Sequence, residues 1–264
     1  MLACTRYFEQ QYDLNKKENK PWLILLHGLL GDQQEWQTVL PYLSNWPCLT
    51  VDLPGHGQSS HLNVSSFDET IHVLHETLHK QRIHHYIMIG YSLGGRIAMY
   101  SACYNNDPLL KGLVIEGGNL GLITDDEKQA RWLNDQHWAE KFRQLPMKEV
   151  LTQWYQQPVF ADISEEERNH LVVLREHNQG EAIATMLEAT SLAKQPLLTD
   201  KLQQKIRQEK LSFCYLCGQK DEKFQQIARN SQLPLKLILQ AGHNAHHSNP
   251  EGFVQQLILF LKED

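Results

Sequence analysis

The sequence predicts an α/β fold: a mostly parallel, twisted sheet with helices on both faces and a helical cap inserted between two strands. Three observations predict it. Short apolar runs bounded by turn residues recur along the 264-residue chain and alternate with helix-compatible stretches. One long interval, 122–207, breaks that alternation and is rich in helix-favouring residues. Finally, Gly90-Tyr91-Ser92-Leu93-Gly94 places a serine where an apolar run ends and a helix-compatible run begins.

The elements follow in order. Trp22–Leu26, Cys48–Val51, 86–89, 113–115, 211–216 and 235–239 read as short strands. Between them, 67–79, 94–103 and 224–231 read as helices, and 253–261 as a final amphipathic one. Strands separated by helices need parallel pairing and cover on both faces. The interval 122–207 is punctuated by Pro146, Pro158 and Pro196, and Ser164-Glu165-Glu166-Glu167 has the form of a capping box. Three to five short helices are expected there. They divide the chain into a core of 1–121 and 208–264 and a cap of 122–207 over the C-terminal edge of the sheet, where such sheets bind ligands.

Composition narrows the function. Hydrophobic residues make up 41% of the chain, enough for one sizeable core. The net charge of −6 and the lack of a basic stripe argue against nucleic acid. No apolar stretch approaches the roughly 20 residues that span a bilayer, and the N-terminus does not read as a secretory signal. The five scattered cysteines fit reduced thiols in a cytoplasm. Cys214 and Cys217 fall in a strand-like run and read as buried, not as a redox pair. A monomer is expected, with a dimer as the alternative.

Ser92 sits in a G-x-S-x-G nucleophile elbow. Small neighbours are needed for so tight a turn, and the helix that follows offers N–H groups to negative charge. A serine hydroxyl needs a histidine, and the histidine an orienting carboxylate. Asp221 and His243 each fall just after a strand, in the order Ser, Asp, His that this motif takes. An oxyanion hole needs two backbone donors. Leu93 follows the nucleophile, and Leu29 lies in His27-Gly28-Leu29-Leu30-Gly31 after an early strand. His27 reads as structural, and His56, in Asp52–Ser59, is a weaker catalytic candidate. His72, His75 and His79 share a helix face and read as solvated. His243, His246 and His247 imitate a metal cluster, but no carboxylate or cysteine stands at ligand spacing, so no metal is expected. Arg96 stands one helical turn beyond Ser92, and Arg131 and Arg175 sit among apolar cap residues. Three arginines around one pocket would suit a small substrate with several carboxylates.

Longer segments carry a resemblance. They are Gly90–Arg96, Glu116-Gly117-Gly118, Trp154-Tyr155-Gln156-Gln157-Pro158-Val159-Phe160, Met186-Leu187-Glu188-Ala189-Thr190-Ser191-Leu192 and Ala241-Gly242-His243-Asn244-Ala245-His246. With them the chain resembles the 2-succinyl-6-hydroxy-2,4-cyclohexadiene-1-carboxylate synthases of bacterial menaquinone biosynthesis, which have an α/β-hydrolase fold. The likeness runs over nearly the whole chain, and the cap segments are its most specific part. It implies a lyase that eliminates pyruvate from 2-succinyl-5-enolpyruvyl-6-hydroxy-3-cyclohexene-1-carboxylate, with no metal or organic cofactor. It matches Ser92, Asp221 and His243 to the triad. It matches Arg96, Arg131 and Arg175, with Tyr91 and Trp154, to the substrate-carboxylate pocket. The region around Arg131 shares less sequence, and the family often has an aromatic residue where Leu29 stands. The motif alone equally fits a carboxylesterase or thioesterase working through an acyl-enzyme. A non-catalytic binding module of the same fold is a third reading.

Overall fold

A computed structural model describes residues 1–11 and 20–263. Seven strands form one sheet: β1 (Cys4–Tyr7), β2 (Trp22–Leu26), β3 (Cys48–Val51), β4 (Tyr86–Tyr91), β5 (Leu110–Glu116), β6 (Ser212–Gly218) and β7 (Leu235–Ile238). Their spatial order is β1-β3-β2-β4-β5-β6-β7. All neighbours are parallel except β1, which runs antiparallel to β3. The fold class expected from the sequence is the one observed.

Strand β1 has no counterpart in the sequence reading. It is four residues long, mostly half-buried, and sits at an edge. Pairing with β3 makes it a strand, and no local apolar period announces it. Strand β4 also runs two residues past its expected end, because Gly90 and Tyr91 pair with Ile115 and Glu116 of β5.

Burial on both faces explains the continuous apolar runs. In β2, Trp22, Ile24 and Leu26 join a cluster with Leu74 and Ile97, while Leu23 and Leu25 join Trp36, Phe253 and Leu257 on the opposite face. The first face is covered by α1 (Phe67–Lys80) and α2 (Leu93–Tyr104). Between β5 and β6 come α3 (Asp125–Gln144), α4 (Met147–Trp154), α5 (Glu165–Arg175), α6 (Gly180–Ala189) and α7 (Thr199–Arg207). Helix α8 (Glu222–Asn230) follows β6, and α9 (Ala245–Ser248) and α10 (Pro250–Glu263) end the chain. Two capping boxes start cap helices, Thr124 with Glu127 and the expected Ser164 with Glu167. The cap has its own apolar cluster, centred on Trp138, Phe142, Val150, Ile183 and Leu187. Leu30, in the loop after β2, belongs to that cluster and ties the cap to the core.

The topology sets the site. The chain passes from β2 outward to β3, then crosses back to β4 on the other side of β2. The loops after β2 and β4 therefore meet at the point where strand order reverses, the usual ligand crevice of such sheets. Among the described residues, no helix is long and apolar enough to cross a membrane. Cys214 and Cys217 both lie buried in β6, as expected.

Helix α2 lies close on the sheet because Gly94 has no side chain. A Cβ there would stand 2.3 Å from the Leu26 carbonyl oxygen. Gly94→Ala should therefore cost at least the upper end of the roughly 1–3 kcal/mol typical of overpacking. A urea midpoint equal to that of the unmodified chain would contradict this close approach.

Candidate active site

Ser92 stands at the turn between β4 and α2, with φ 48° and ψ −106°. That conformation is strained for any residue with a side chain. Tertiary contacts hold it. The Ser92 N–H donates to the Glu116 carbonyl at 2.8 Å, and Arg96 N–H donates to the Ser92 carbonyl at 3.0 Å. A Cβ on Gly90 would meet the Gly94 backbone at 2.5 Å, so glycine is required on both sides of the turn. Half-buried Ser92 projects at the start of α2, where the first N–H groups have no helical acceptor.

Asp221 and His243 are brought together from 22 residues apart, with Oδ2 and Nδ1 separated by 2.8 Å. Asp221 caps α8 at the end of β6, and its Oδ1 accepts the Phe224 N–H. His243 lies 6% exposed, with Phe224 on its ring at 4.6 Å and Tyr91 at 5.4 Å. Gly117, with φ 59°, faces the imidazole so closely that a Cβ would sit 2.6 Å from Cε1. Gly117 also directly follows the residue that holds the Ser92 N–H. Ser92 and His243 thus converge on the end of β5. No hydrogen bond joins the two side chains in this structure, among the described residues.

The loop after β2 lies beside them. A Cβ on Gly28 would stand 2.7 Å from the Tyr91 ring and 3.5 Å from Ser92 Cβ. Two buried histidines pin this loop, and both nitrogens of each ring are spent on backbone groups. His27 Nε2 accepts the Leu53 N–H at 2.9 Å while Nδ1 donates to the Gly28 carbonyl at 2.7 Å. His56 Nε2 accepts the Leu30 N–H at 3.1 Å while Nδ1 donates to the Pro54 carbonyl at 2.9 Å. An accepting ring nitrogen requires the neutral form. Burial enforces it, lowering His27 and pushing His56 down to about 3. With the Leu30 N–H taken, no acceptor among the described residues holds the Leu29 N–H or the Leu93 N–H.

The arginines differ in how they are neutralised. Arg96 is buried in α2, and its bonds go to neutral acceptors: Gln195 Oε1 at 2.7 Å and the Thr190 carbonyl at 2.6 Å. Burial, then the nearby Arg131 charge, lower Arg96 to about 9 despite some relief from Asp135. Arg131 pairs with Asp135 at 2.7 Å, and Asp135 accepts the Ser191 hydroxyl at 2.7 Å. Arg175 ends α5, 3% exposed, and is bonded to the carboxylate of Glu35. Trp154 is half-buried at the end of α4, edge-on to Trp138 at 5.0 Å. Tyr91 is buried, and its hydroxyl donates to Asn244 Oδ1 at 2.5 Å. The structure therefore spends that hydroxyl inside the fold.

Residues 21–250 match the family model of the alpha/beta hydrolase fold. A 2-succinyl-6-hydroxy-2,4-cyclohexadiene-1-carboxylate synthase of Yersinia pseudotuberculosis serotype O:1b (strain IP 31758) is 47% identical over 262 residues, 99% of this chain and 95% of that protein. The protein of the same name from Yersinia enterocolitica serotype O:8 is 45% identical over 99% of this chain and 94% of its own. The chain belongs to the 2-succinyl-6-hydroxy-2,4-cyclohexadiene-1-carboxylate synthase family. The solved structure of MenH from S. aureus superposes with a TM-score of 0.84 at 25% identity, covering 100% of this chain and 99% of that one. An enol-lactonase from Burkholderia xenovorans LB400 shares the fold, with a TM-score of 0.77 at 18% identity over 99% of this chain and 96% of that one.

Two sequence expectations are corrected. The first concerns metal-ligand spacing around His246 and His247. A carboxylate does stand there, but Glu35 supplies it from more than 200 positions away: Oε1 lies 3.1 Å from His246 Nε2 and 2.8 Å from His247 Nε2. His246 Nδ1 meets Glu116 Oε2 at 2.7 Å. Burial opposes charge on His246, yet Glu116 and Glu35 outweigh it and raise the ring to about 9. Each ring nitrogen of His246 thus faces a carboxylate oxygen, and the cluster as it stands is a hydrogen-bonded ion network. The second concerns the histidines of α1. His72 and His79 are exposed, but His75 is half-buried. Its Nε2 meets Ser101 Oγ at 2.7 Å and its Nδ1 meets Asp107 Oδ2 at 3.3 Å. This copies triad spacing, but Ser101 is 1% exposed and sits inside α2.

The His246 network gives the protein a pH dependence. Glu35 and His247 face the ring on one side, Glu116 on the other, with Tyr91, Trp36 and Phe253 against its faces. Its folded pKa lies above the free value of about 6.5. The stabilisation is therefore complete below about pH 6.5 and is lost as pH rises through the folded value, about 9. Glu35 is held well below its usual range: burial pushes it up, but Arg175, His246 and His247 overcome that. Its contribution is lost only as pH falls through that lowered value. Thermal midpoints should decline from about pH 6.5 to about pH 9.5, and His246→Gln should flatten the decline. An unmodified chain with a flat profile over that range would rule out the charged His246.

Proposed function

We propose that this chain catalyses the family reaction, a carbon–oxygen lyase step of menaquinone biosynthesis. It would convert 2-succinyl-5-enolpyruvyl-6-hydroxy-3-cyclohexene-1-carboxylate to 2-succinyl-6-hydroxy-2,4-cyclohexadiene-1-carboxylate and pyruvate. The observation that carries the reading is Arg96. A buried guanidinium one helical turn from Ser92, bonded among the described residues only to neutral acceptors and crowded by Arg131, is a cation awaiting an anion. A simple ester offers no such charge. A substrate with several carboxylates does.

In this reading the Ser92–His243 pair is the base. Ser92 Oγ takes the ring proton made acidic by conjugation to the succinyl carbonyl, as its own proton passes to His243 Nε2. Asp221 holds the imidazole by its Nδ1–H, fixing the tautomer and favouring the imidazolium. The Leu29 and Leu93 N–H groups receive the enolate oxygen. The electron pair then returns through the ring and breaks the bond to the enolpyruvyl oxygen. The departing enolpyruvate takes a proton and becomes pyruvate. Arg96, Arg131 and Arg175 orient the carboxylates, with Trp154 as an apolar wall and Tyr91 acting through Asn244 and His243. The division into a core of 1–121 and 208–264 and a cap of 122–207 assigns the base to the first and most of the carboxylate recognition to the second. A cytoplasmic monomer needing neither metal nor organic cofactor completes the proposal.

Release of pyruvate from the enolpyruvyl substrate, set beside turnover of p-nitrophenyl acetate, tests the reading directly. Efficient ester cleavage with no pyruvate would replace the lyase with an esterase. Ser92→Ala should lower kcat for pyruvate release by about 10²–10⁴, the usual worth of a positioned base. Arg96→Ala should lower kcat/KM by roughly 10- to 150-fold, matching about 1.5–3 kcal/mol for a charged hydrogen bond. It should affect the neutral ester far less. An Arg96→Ala protein within twofold of the unmodified chain would remove Arg96 from the site.

A further inference from the structure

Glu35 takes no part in a Ser-His-Asp relay, yet its carboxylate joins the core to the cap. It sits on the 3-10 turn Gln33–Trp36, directly after the oxyanion loop, and is 3% exposed. Glycine at position 31 makes room for it, since a Cβ there would stand 2.5 Å from Oε2. Oε2 takes the Arg175 guanidinium from the end of α5. Oε1 takes the two imidazoles of α9, His246 and His247. His246 in turn donates its backbone N–H to Glu116 Oε1 at 3.1 Å and its Nδ1–H to Oε2. The carbonyl of that same Glu116 holds the Ser92 N–H at 2.8 Å. On its flank, His246 packs against Tyr91 at 4.7 Å, and Tyr91 packs against His243 at 5.4 Å.

A continuous set of contacts therefore runs from the cap arginine through Glu35 and His246 to the backbone of Ser92 and the ring of His243. Buried ion networks rarely stabilise a fold more than apolar packing of the same volume, so conformational definition is the better account of this one. Arg175 has five N–H donors in a rigid fork, and besides the Glu35 carboxylate it meets the hydroxyl of buried Tyr155 in the cap. We propose that Glu35 is a positioning residue: it clamps Arg175 of the cap to the loop that carries His243, so that seating the cap and aligning the base are one event. The kinetic arm of its test rests on the lyase reading; the clamp itself does not.

The experiment uses the full chain, Glu35→Gln, Arg175→Gln and the double variant, with pyruvate release and hydrogen exchange measured on each. Glu35→Gln should lower kcat at least tenfold with a smaller change in KM. Exchange should rise together in 165–175 and in 243–248, although these segments are distant in sequence. The double variant should lie within twofold of the worse single one, because both break one link. A lower thermal midpoint with kcat within twofold would make Glu35 merely structural and overturn the proposal. Exchange rising in only one segment, or kinetic effects that multiply, would also overturn it. Absence of pyruvate release by the unmodified chain, with coupled exchange intact, would sink the lyase reading and leave the clamp standing. Should the variants fail to fold, imidazole ¹⁵N NMR of the unmodified chain decides. Two protonated nitrogens on His246 at pH 8 support the bridge between Glu35 and Glu116, and a neutral tautomer overturns it.

Discussion

The strained turn at Ser92 is the constraint on which the site depends. A non-glycine residue at φ 48° persists only where its surroundings over-determine it. Here the surroundings are backbone. The Glu116 carbonyl takes the Ser92 N–H, and Gly90 and Gly94 let β4, α2 and β2 approach until a Cβ would not fit. The same contacts aim the first N–H groups of α2 at the crevice. They also fix Ser92 to the end of β5, against which Gly117 seats His243. The strained turn, the free N–H groups and the seat of His243 are thus consequences of one close packing of β2, β4, β5 and α2.

Around that turn, identical residue types take opposite charge states. His27 and His56 are buried with no carboxylate bonded to the ring among the described residues, and desolvation lowers both. Each can therefore accept a backbone N–H and pin the loop after β2. His246 is equally buried but lies between Glu35 and Glu116, so it carries a proton. The arginines divide in the same manner. Arg175 is balanced by Glu35 and Arg131 by Asp135, whereas Arg96 meets neutral oxygen atoms. A chain of net charge −6 thereby keeps, among the described residues, a buried guanidinium with no bonded carboxylate one helical turn from Ser92. On the proposed lyase reading, that uneven compensation is what would suit the site to a multiply charged acid and not to a neutral ester.

Much of this was legible from residues close together in the chain. The elbow, the parallel strands and the capping box at Ser164 rest on local chemistry: backbone sterics, period and a side chain reaching three residues away. Asp221 and His243 were readable because each follows a strand, and strand ends share one edge of a parallel sheet. Strand β1 was not, because its identity lies in a partner more than 40 positions away. Nor was Glu35, which in sequence is one acid in the ordinary run Gln33-Gln34-Glu35-Trp36. His75 looked like one of three solvated histidines until Ser101 and Asp107 came to its ring.

The sequence by itself determined the α/β alternation, the elbow, the order Ser, Asp, His and the helical insertion, since these follow from spacing and residue type. Tertiary structure alone decided which groups are charged and where their bonds go. It put Arg175 on Glu35, gave Arg96 the neutral oxygens of Gln195 and Thr190, tied Tyr91 to Asn244 and set Glu35 beside His246. The reason is physical. Periodicity and backbone sterics act over a few residues, whereas desolvation and Coulomb interaction depend on distances that exist only once the sheet and cap have closed.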